Sequence, residues 1–173
     1  MQPVIKWSGS KRHIAKHICS YVNFEYNNYY EPFIGGAAVL FSISPLQAVV
    51  NDVNEQLVNL YTQLKFSAHS VIDKVNEMDS TPCTKEYYYD IRKAYNEKIA
   101  RRDFDPECTA FMIWINKHCF NGLYRVNNKG AFNVPYNNKV NGRSIDENNS
   151  RRSKGNSRFQ ICLDYRRWGL GER

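Results

Sequence analysis

The stretch EPFIGGA at residues 31–37 decides the fold, because it joins a short apolar segment to two glycines and then to a helix-forming run. Residues 28–34 predict a strand, the glycines predict a tight turn, and residues 37–43 predict a helix. Residues 48–50 then predict a second buried strand, and Asn54 predicts the N-cap of a further helix. The order strand, helix, strand, helix is typical of an α/β protein.

The glycine pair and Asp52 together predict a site for a nucleotide-type ligand. Glycine has no side chain to keep a ligand from the backbone, and open α/β sheets bind ligands at the carboxyl edge of their strands. Asp52 follows the second strand roughly twenty residues after the loop, where nucleotide-binding proteins place a carboxylate on ribose hydroxyls. A P-loop is excluded, since no Gly-Lys-Ser/Thr follows the glycines. For the glycines alone, a plain strand-to-helix turn is the alternative interpretation.

The middle of the chain predicts a helical insertion followed by a hairpin. Apolar residues recur at helical spacing over residues 71–78 and 87–99, and Asp105 with its following proline predicts the start of another helix. Residues 120–136 are instead rich in Asn, Gly and aromatic residues around a central NNKG turn signal, and they predict an exposed β-hairpin. Residues 159–164 predict a third strand of the first sheet.

The composition predicts one globular domain with an insertion. Of the 173 residues, 42% are hydrophobic and 14% aromatic, which is too apolar for a disordered chain, yet no run approaches the roughly 18 apolar residues of a membrane span. The first residues lack the apolar core of a signal peptide, so we expect a cytoplasmic protein without a membrane partner. The five cysteines are scattered and include no Cys-x-x-Cys pair, which argues against a disulfide framework and a metal site.

The net charge of +7 favours a polyanionic partner only weakly. From residue 151 onward there are seven basic and two acidic residues, and seven minus two leaves +5 on this tail. The body of the chain therefore carries the remaining +2. Any argument for nucleic acid must rest on particular residues.

Four ordered segments resemble the motifs of the DNA adenine-N6 methyltransferases. They are KWSGSK at residues 6–11, EPFIGG at 31–36, NDVN at 51–54 and FNGLYRVN at 120–127, the last followed by FNVPY at 132–136. The resemblance implies methyl transfer from S-adenosylmethionine to N6 of adenine in double-stranded DNA. It also implies a partial Rossmann-like methyltransferase sheet with an inserted helical and β-hairpin DNA-recognition lobe.

The resemblance further implies which residues bind the cofactor. They are Trp7, Lys11, Glu31, Phe33, Gly35 and Asp52. Asp52 would hold the ribose, and Lys11 would offset the methionine carboxylate. Trp7 would cover either an apolar face of the cofactor or its methylsulfonium, the latter through a cation–π contact. Without the resemblance, Trp7 as a core anchor and Lys11 as a solvated charge would be the alternatives. Ser10 and Ala37 depart from the family, which often has glycine at both positions.

The same resemblance implies DNA contacts from the hairpin. The residues concerned are Phe120, Asn121, Leu123, Arg125, Asn133 and Pro135. Arg125 is assigned to guanine, because its planar fork can pair with O6 and N7 in the major groove. Phe120 would wedge between base pairs and help to extrude the target adenine, and the others would shape the surface in the groove. The alternative is structural, with Phe120 and Phe132 in the hairpin core and the Asn residues as turn formers.

The family's catalytic motif, Asp/Asn-Pro-Pro-Tyr/Phe, does not occur among these 173 residues. We therefore predict no catalytic residue and expect a chain truncated before that motif. Residues 1–57 are predicted as the cofactor-binding part, 58–137 as the target-recognition insertion, and 138–173 as a return strand with a basic tail. A non-catalytic DNA- or cofactor-binding remnant is the alternative function.

Overall fold

The computed structural model describes residues 3–140 and 142–145 in full and residues 160–163 by their backbone. Within these residues the elements are, in chain order, α1 (Ala15–Ser20), β1 (Tyr29–Glu31), α2 (Ala38–Ile43), β2 (Gln47–Val50), α3 (Glu55–Phe66), α4 (Ala68–Asp79), α5 (Lys85–Arg101), α6 (Pro106–His118) and β3 (Gln160–Leu163). Short 3₁₀ turns at Lys11–His13 and Phe120–Gly122 accompany them. The mixture of strands and helices confirms the predicted α/β class.

The three strands form one parallel sheet in the order β1, β2, β3. Tyr30 lies opposite Val49 in the first pair, and Val49 lies opposite Cys162 in the second. The third strand predicted near residues 159–164 is therefore confirmed as a neighbour of β2. Because β1 and β2 run in the same direction, the loops that follow them meet at one edge of the sheet.

Side-chain caps fix the starts of three helices. Asn54 accepts hydrogen bonds from two N–H groups in the first turn of α3, Thr84 caps α5, and Asp105 accepts from the N–H of Cys108 in α6. A cap of this kind contributes about 1 kcal/mol to stability. The helix starts predicted at Asn54 and Asp105 are confirmed.

Helix α6 forms the centre of the four helices that lie between β2 and β3 among the described residues. Residues 108–116 are all buried, and the helix packs against α3, α4 and α5. The indole of Trp114 is fully buried and lies against the rings of Tyr87 and Tyr88. Truncating a buried Trp to Ala costs about 3–5 kcal/mol, so this contact holds α5 on α6.

The predicted hairpin differs from a regular two-stranded hairpin. Only isolated antiparallel bridges join its two arms, one of them between Val126 and Phe132. Asn121 and Gly122 have positive φ values of 55° and 64°, which interrupt the first arm. The prediction of an exposed hairpin is wrong for the inner face, because Phe132 and Val134 are each only 1% exposed. The backbone of that face is bonded to helix side chains, which replace part of the cross-strand ladder.

Within the described part of the chain, every helix is too short or too polar to cross a lipid bilayer. The described residues also contain no cluster of three or more His, Cys, Asp or Glu side chains placed to hold a metal ion. The basic tail predicted beyond residue 150 lies outside the described residues, apart from the β3 backbone.

Candidate functional site

Asp52 ties together the loops that follow β1 and β2. Its Oδ2 accepts a hydrogen bond from the N–H of Gly35 at 2.9 Å, and its Oδ1 accepts one from the N–H of Asn54 at 3.0 Å. An ionised carboxylate has about four acceptor positions. Asp52 therefore keeps acceptor capacity for a ligand hydroxyl while it fixes the shape of both loops.

Gly35 is required by its backbone and by its neighbours. Its φ is +47°, in the region that favours glycine, and its carbonyl accepts a hydrogen bond from the hydroxyl of Tyr61 at 2.8 Å. A Cβ on Gly35 would lie 3.3 Å from Cδ1 of Trp7, and one on Gly36 would lie 3.2 Å from Oγ of Ser10. The glycine pair thus allows the indole and Ser10 to pack directly on the loop backbone.

Trp7 forms a shared wall between the sheet edge and the loop after α6. Its half-buried indole contacts Gly35 on one side, and its ring centroid lies 4.9 Å from that of Tyr124 on the other. The hydroxyl of Tyr124 lies 3.1 Å from that of the buried Tyr95 in α5. Burial raises the pKa of Tyr124 to about 12, so this hydroxyl stays protonated at neutral pH. Trp7 is therefore a packing anchor that also borders the predicted cofactor loop.

The remaining predicted cofactor residues differ in how deeply they are buried. Glu31 is half-buried and accepts a hydrogen bond from the hydroxyl of Tyr29 at 2.9 Å; burial raises its pKa above the ordinary value of 4.5, although hydrogen bonds oppose the shift. Phe33 is 80% exposed on the loop. Lys11 is exposed, and its Nζ donates to the carbonyl of Gly9 at 3.0 Å. The lysine thus faces its own turn, whereas Glu31 ends the strand that leads into the glycine loop.

The predicted DNA-contacting residues lie on the outer face of the loop that spans residues 119–136. The exposed ones are Phe120, Asn121, Leu123, Arg125 and Pro135, and Asn133 is half-buried. The structural alternative, a hairpin core of two phenylalanines, is confirmed for Phe132, which is 1% exposed, and is wrong for Phe120, which is 51% exposed. We call residues 119–136 the recognition loop, after the role predicted for them, and we call these outward residues its outer face.

The inner face of the recognition loop is fastened to α5. The side chain of Asn96 accepts from the N–H of Phe132 at 2.8 Å and donates to its carbonyl at 3.0 Å. The carbonyl of Val134 accepts from the hydroxyl of Tyr88 at 2.9 Å and from Nη1 of Arg92 at 3.1 Å. These bonds satisfy backbone groups of Phe132 and Val134 that no cross-strand ladder pairs. They also hold the intervening residue, Asn133, in place.

Arg125 and Asn133 lie opposite each other across the recognition loop. The N–H of Asn133 donates to the carbonyl of Arg125 at 3.1 Å, and Nε of Arg125 donates to Oδ1 of Asn133 at 2.8 Å. This side-chain bond uses one of the five guanidinium donors. The two terminal nitrogens of Arg125 are left for another acceptor.

Asn116 joins the two regions, although sequence patterns did not single it out. Its buried amide accepts from the N–H of Lys6 at 2.8 Å and donates to the carbonyls of Lys6 at 3.0 Å and Gly122 at 3.1 Å. One side chain of α6 thus holds the segment before Trp7 and the start of the recognition loop. The available signal was an amide inside the apolar run CTAFMIWIN, because buried polar groups need partners.

The fold is that of an α/β protein in which the glycine loop after β1 and the carboxylate of Asp52 after β2 meet at the carboxyl edge of a parallel sheet. The model of the D12 class N6 adenine-specific DNA methyltransferases matches residues 7–165. The chain therefore belongs to the D12 class N6 adenine-specific DNA methyltransferase family.

Individual relatives bear names of the same kind. The chain is 37% identical over 147 residues to the type II methyltransferase M1.LlaDCHI of Lactococcus lactis subsp. cremoris, which covers 85% of this chain and 51% of that protein. It is 34% identical over 165 residues to the type II methyltransferase M.MjaIII of Methanocaldococcus jannaschii, covering 86% of this chain and 56% of that protein. The DNA N-6-adenine-methyltransferase of Escherichia phage P1 is 36% identical over 133 residues, which are 77% of this chain and 17% of the phage protein. The chain spans about half the length of the first two relatives.

Proposed function

We propose that this chain is the cofactor-binding and DNA-reading part of a site-specific adenine methyltransferase, which moves a methyl group from S-adenosylmethionine to N6 of adenine in duplex DNA. The supporting observation is the position of Trp7. Its indole contacts Gly35 in the predicted cofactor loop and Tyr124, the neighbour of Arg125, in the recognition loop. The two predicted ligand surfaces therefore share one side chain.

The residues at the sheet edge fit an adenosyl cofactor. The carboxylate of Asp52 accepts hydrogen bonds from the ribose hydroxyls, through the lone pairs that the N–H groups of Gly35 and Asn54 do not use. The exposed ring of Phe33 offers a flat apolar surface for an adenine. The hydrogen bond from Nζ of Lys11 to the carbonyl of Gly9 is exposed to solvent. Lys11 can therefore give up this bond and place its ammonium group beside the methionine carboxylate. When bound, S-adenosylmethionine supplies an electrophilic methyl group.

The outer face of the recognition loop fits the major groove of a duplex. Arg125 donates to the O6 and N7 acceptors of a guanine, while exposed Lys117, Lys129 and Lys139 meet phosphates. Phe120 provides the apolar ring that helps to displace the target adenine from the stack. The guanidinium reads sequence, and the lysines set affinity without reading it.

The chain binds but does not by itself complete the chemistry in this proposal. N6 transfer needs an acceptor that hydrogen-bonds the exocyclic amine as it attacks the methyl group, and the family's tetrapeptide for this task is absent from the 173 residues. Because both candidate binding surfaces lie within the described residues, the second candidate is a non-catalytic DNA- or cofactor-binding module. A tritium-transfer assay with duplex DNA separates the two from an active enzyme, since sustained turnover by this chain alone contradicts both.

The binding proposal is tested with two measurements on the same protein. Calorimetry with S-adenosylhomocysteine should detect binding that Asp52→Ala weakens by about a hundredfold, because a charged acceptor with its bonds contributes about 1.5–3 kcal/mol. Gel shift with duplex DNA should detect binding that Arg125→Ala weakens. Asn76→Ala, a change to an exposed asparagine on α4, is the control and should alter neither. Absence of binding to both ligands overturns the proposal.

A further inference from the structure

We infer that Asn133 is a positioning residue, which locks the guanidinium of Arg125 so that only its two terminal nitrogens can meet a base edge. The inference rests on the proposed DNA-binding function and deepens it. It also changes the role expected for Asn133, which acts through Arg125 in this account instead of shaping the groove surface itself.

The backbone at Asn133 is held on both sides. Its neighbours Phe132 and Val134 are each 1% exposed. Asn96 bonds both backbone groups of Phe132, and the carbonyl of Val134 accepts two hydrogen bonds from α5. Since successive side chains of an extended segment alternate between faces, these anchors fix Asn133 outward, beside Arg125. The acceptor for Arg125 therefore stands on a rigid support.

The bond from Nε of Arg125 to Oδ1 of Asn133 selects one binding mode. A guanidinium can present two parallel donors side-on, through Nε and one terminal nitrogen, or end-on, through both terminal nitrogens. With Nε bonded at 2.8 Å to Asn133, the side-on mode is blocked. Only the end-on pair of donors is left for a base.

An end-on fork that cannot rotate discriminates between purines. Guanine presents two acceptors in the major groove, O6 and N7, whereas adenine presents the acceptor N7 beside the N6 donor. A fixed pair of N–H donors matches guanine and places one donor against the amino group of adenine. An arginine free to swing would avoid that clash, so the restraint adds specificity through preorganisation.

The surroundings of the pair agree with a ligand role. Arg125, Asn133 and Lys129 line a surface groove together with Val126, Asn127 and Asn128. Asn127 uses its own Oδ1 to accept from the N–H groups of Lys129 and Ala131, so the tip of the loop has an internal restraint. Because the tip has this restraint of its own, the exposed bond between Arg125 and Asn133 is not needed to close the loop.

The test is selection of bound duplexes from a random-sequence library, followed by sequencing, with the full chain and its variants. Wild type should enrich a fixed guanine, and Arg125→Ala should abolish that enrichment. Asn133→Ala should lower the preference for guanine over adenine at that position by roughly three- to tenfold, the order expected for losing one solvent-exposed hydrogen bond of ordinary strength. Asn133→Asp keeps an acceptor for Nε and should retain the preference, even if its added charge weakens overall affinity. Asn76→Ala, which changes an exposed asparagine on α4 outside this groove, is the matched control and should behave as wild type.

The outcomes separate the inference from the function beneath it. Asn133→Ala that keeps the full guanine preference, while Arg125→Ala loses it, overturns the positioning role and leaves DNA reading intact. Wild type that binds DNA without enriching any guanine overturns both the positioning role and the assignment of Arg125. Thermal unfolding of each variant checks its fold; if Asn133→Ala does not fold, Asn133→Gln, which moves the acceptor by one methylene, must show the loss of preference instead.

Discussion

The two candidate ligand surfaces, the edge of the sheet and the recognition loop, are built in different ways. At the sheet edge, Asp52 and Trp7 come from distant parts of the chain and meet at Gly35. In the recognition loop, the exposed and anchoring residues alternate within residues 119–136. The first surface is assembled by tertiary contacts, and the second is a local unit fastened to α5.

The two surfaces depend on different interactions. The sheet edge depends on close approach, since a side chain on Gly35 would meet the indole of Trp7. The recognition loop depends on side-chain bonds from Asn96 and its neighbours to backbone groups. Asn116 belongs to both, because its amide bonds Lys6 before Trp7 and Gly122 in the loop.

The largest expected effect comes from breaking this shared element. Asn116→Ala removes three hydrogen bonds and leaves two partly buried backbone groups of Lys6 and the buried carbonyl of Gly122 without their partner. Because each unsatisfied buried group costs about 1–3 kcal/mol, we expect a loss of about 3 kcal/mol in the free energy of unfolding. Urea unfolding measures this loss. We also expect weaker binding of both S-adenosylhomocysteine and duplex DNA.

Asn59→Ala is the matched control for Asn116→Ala. Asn59 is also a buried amide, but its side chain bonds the hydroxyl of Thr109 in α6 and neither Lys6 nor Gly122. Its loss should lower stability without a specific change in either affinity. Equal effects of the two substitutions on ligand binding would show that general destabilisation, and no shared clamp, explains the result at Asn116.

Two glycines, one in each region, are expected to differ in how much stability a methyl group costs. Gly35 and Gly130 have φ values of +47° and +77°, and a Cβ would lie 3.3 Å from Trp7 at Gly35 but in open space at Gly130. The left-handed conformation alone costs a residue with a side chain about 1–2 kcal/mol. Gly130→Ala should therefore lose about 1 kcal/mol and Gly35→Ala about 2 kcal/mol, measured by thermal unfolding. A larger loss at Gly130 would mean that the loop tip is the tighter of the two.

The sequence predicts the local structure of this molecule better than its tertiary contacts. The caps at Asn54 and Asp105 and the third strand followed from short patterns, because their partners lie close in the chain or their apolar content is distinctive. The contacts of Asn116 and Tyr124 did not, since they join residues far apart in sequence. The recognition loop was predicted as a hairpin, but patterns could not show that α5 would replace part of its ladder.

The half-buried carboxyl of Glu31 is expected to lower stability at the sheet edge, an unfavourable contribution that the recognition loop lacks. Burial raises the pKa of Glu31 above 4.5, so its ionised form is disfavoured in the folded protein. The sign follows: its contribution to stability is present below pH 4.5 and is lost as pH rises through the raised pKa. Glu31→Gln keeps an acceptor for Tyr29 and removes this titration. We expect a small rise in melting temperature at pH 7 that shrinks toward pH 4, together with weaker binding of S-adenosylhomocysteine.

The control for Glu31 is Glu25→Gln, which changes an exposed carboxyl a few residues before the same strand. It should leave both the melting temperature and cofactor affinity close to wild type. A Glu31→Gln variant that is less stable at pH 7 than wild type would mean that the ionised carboxylate stabilises the sheet edge through its hydrogen bonds more than burial opposes it.

The smallest effects are expected where each region has a side chain in the left-handed conformation. Ala37, fully buried before α2, has a φ of 56°, and the exposed Asn121 has a φ of 55°. For Ala37→Gly, relief of about 1 kcal/mol of backbone strain is offset by about 0.8 kcal/mol for the buried methyl and by the greater freedom of the unfolded chain. Asn tolerates this conformation better than Ala, and its side chain here packs little, so Asn121→Gly should also change stability slightly. Urea unfolding should place both within about 1 kcal/mol of wild type. If Ala37→Gly were instead clearly stabilising, the methyl would contribute strain without useful packing, and the sheet edge would be less tightly assembled than its contacts with Trp7 indicate.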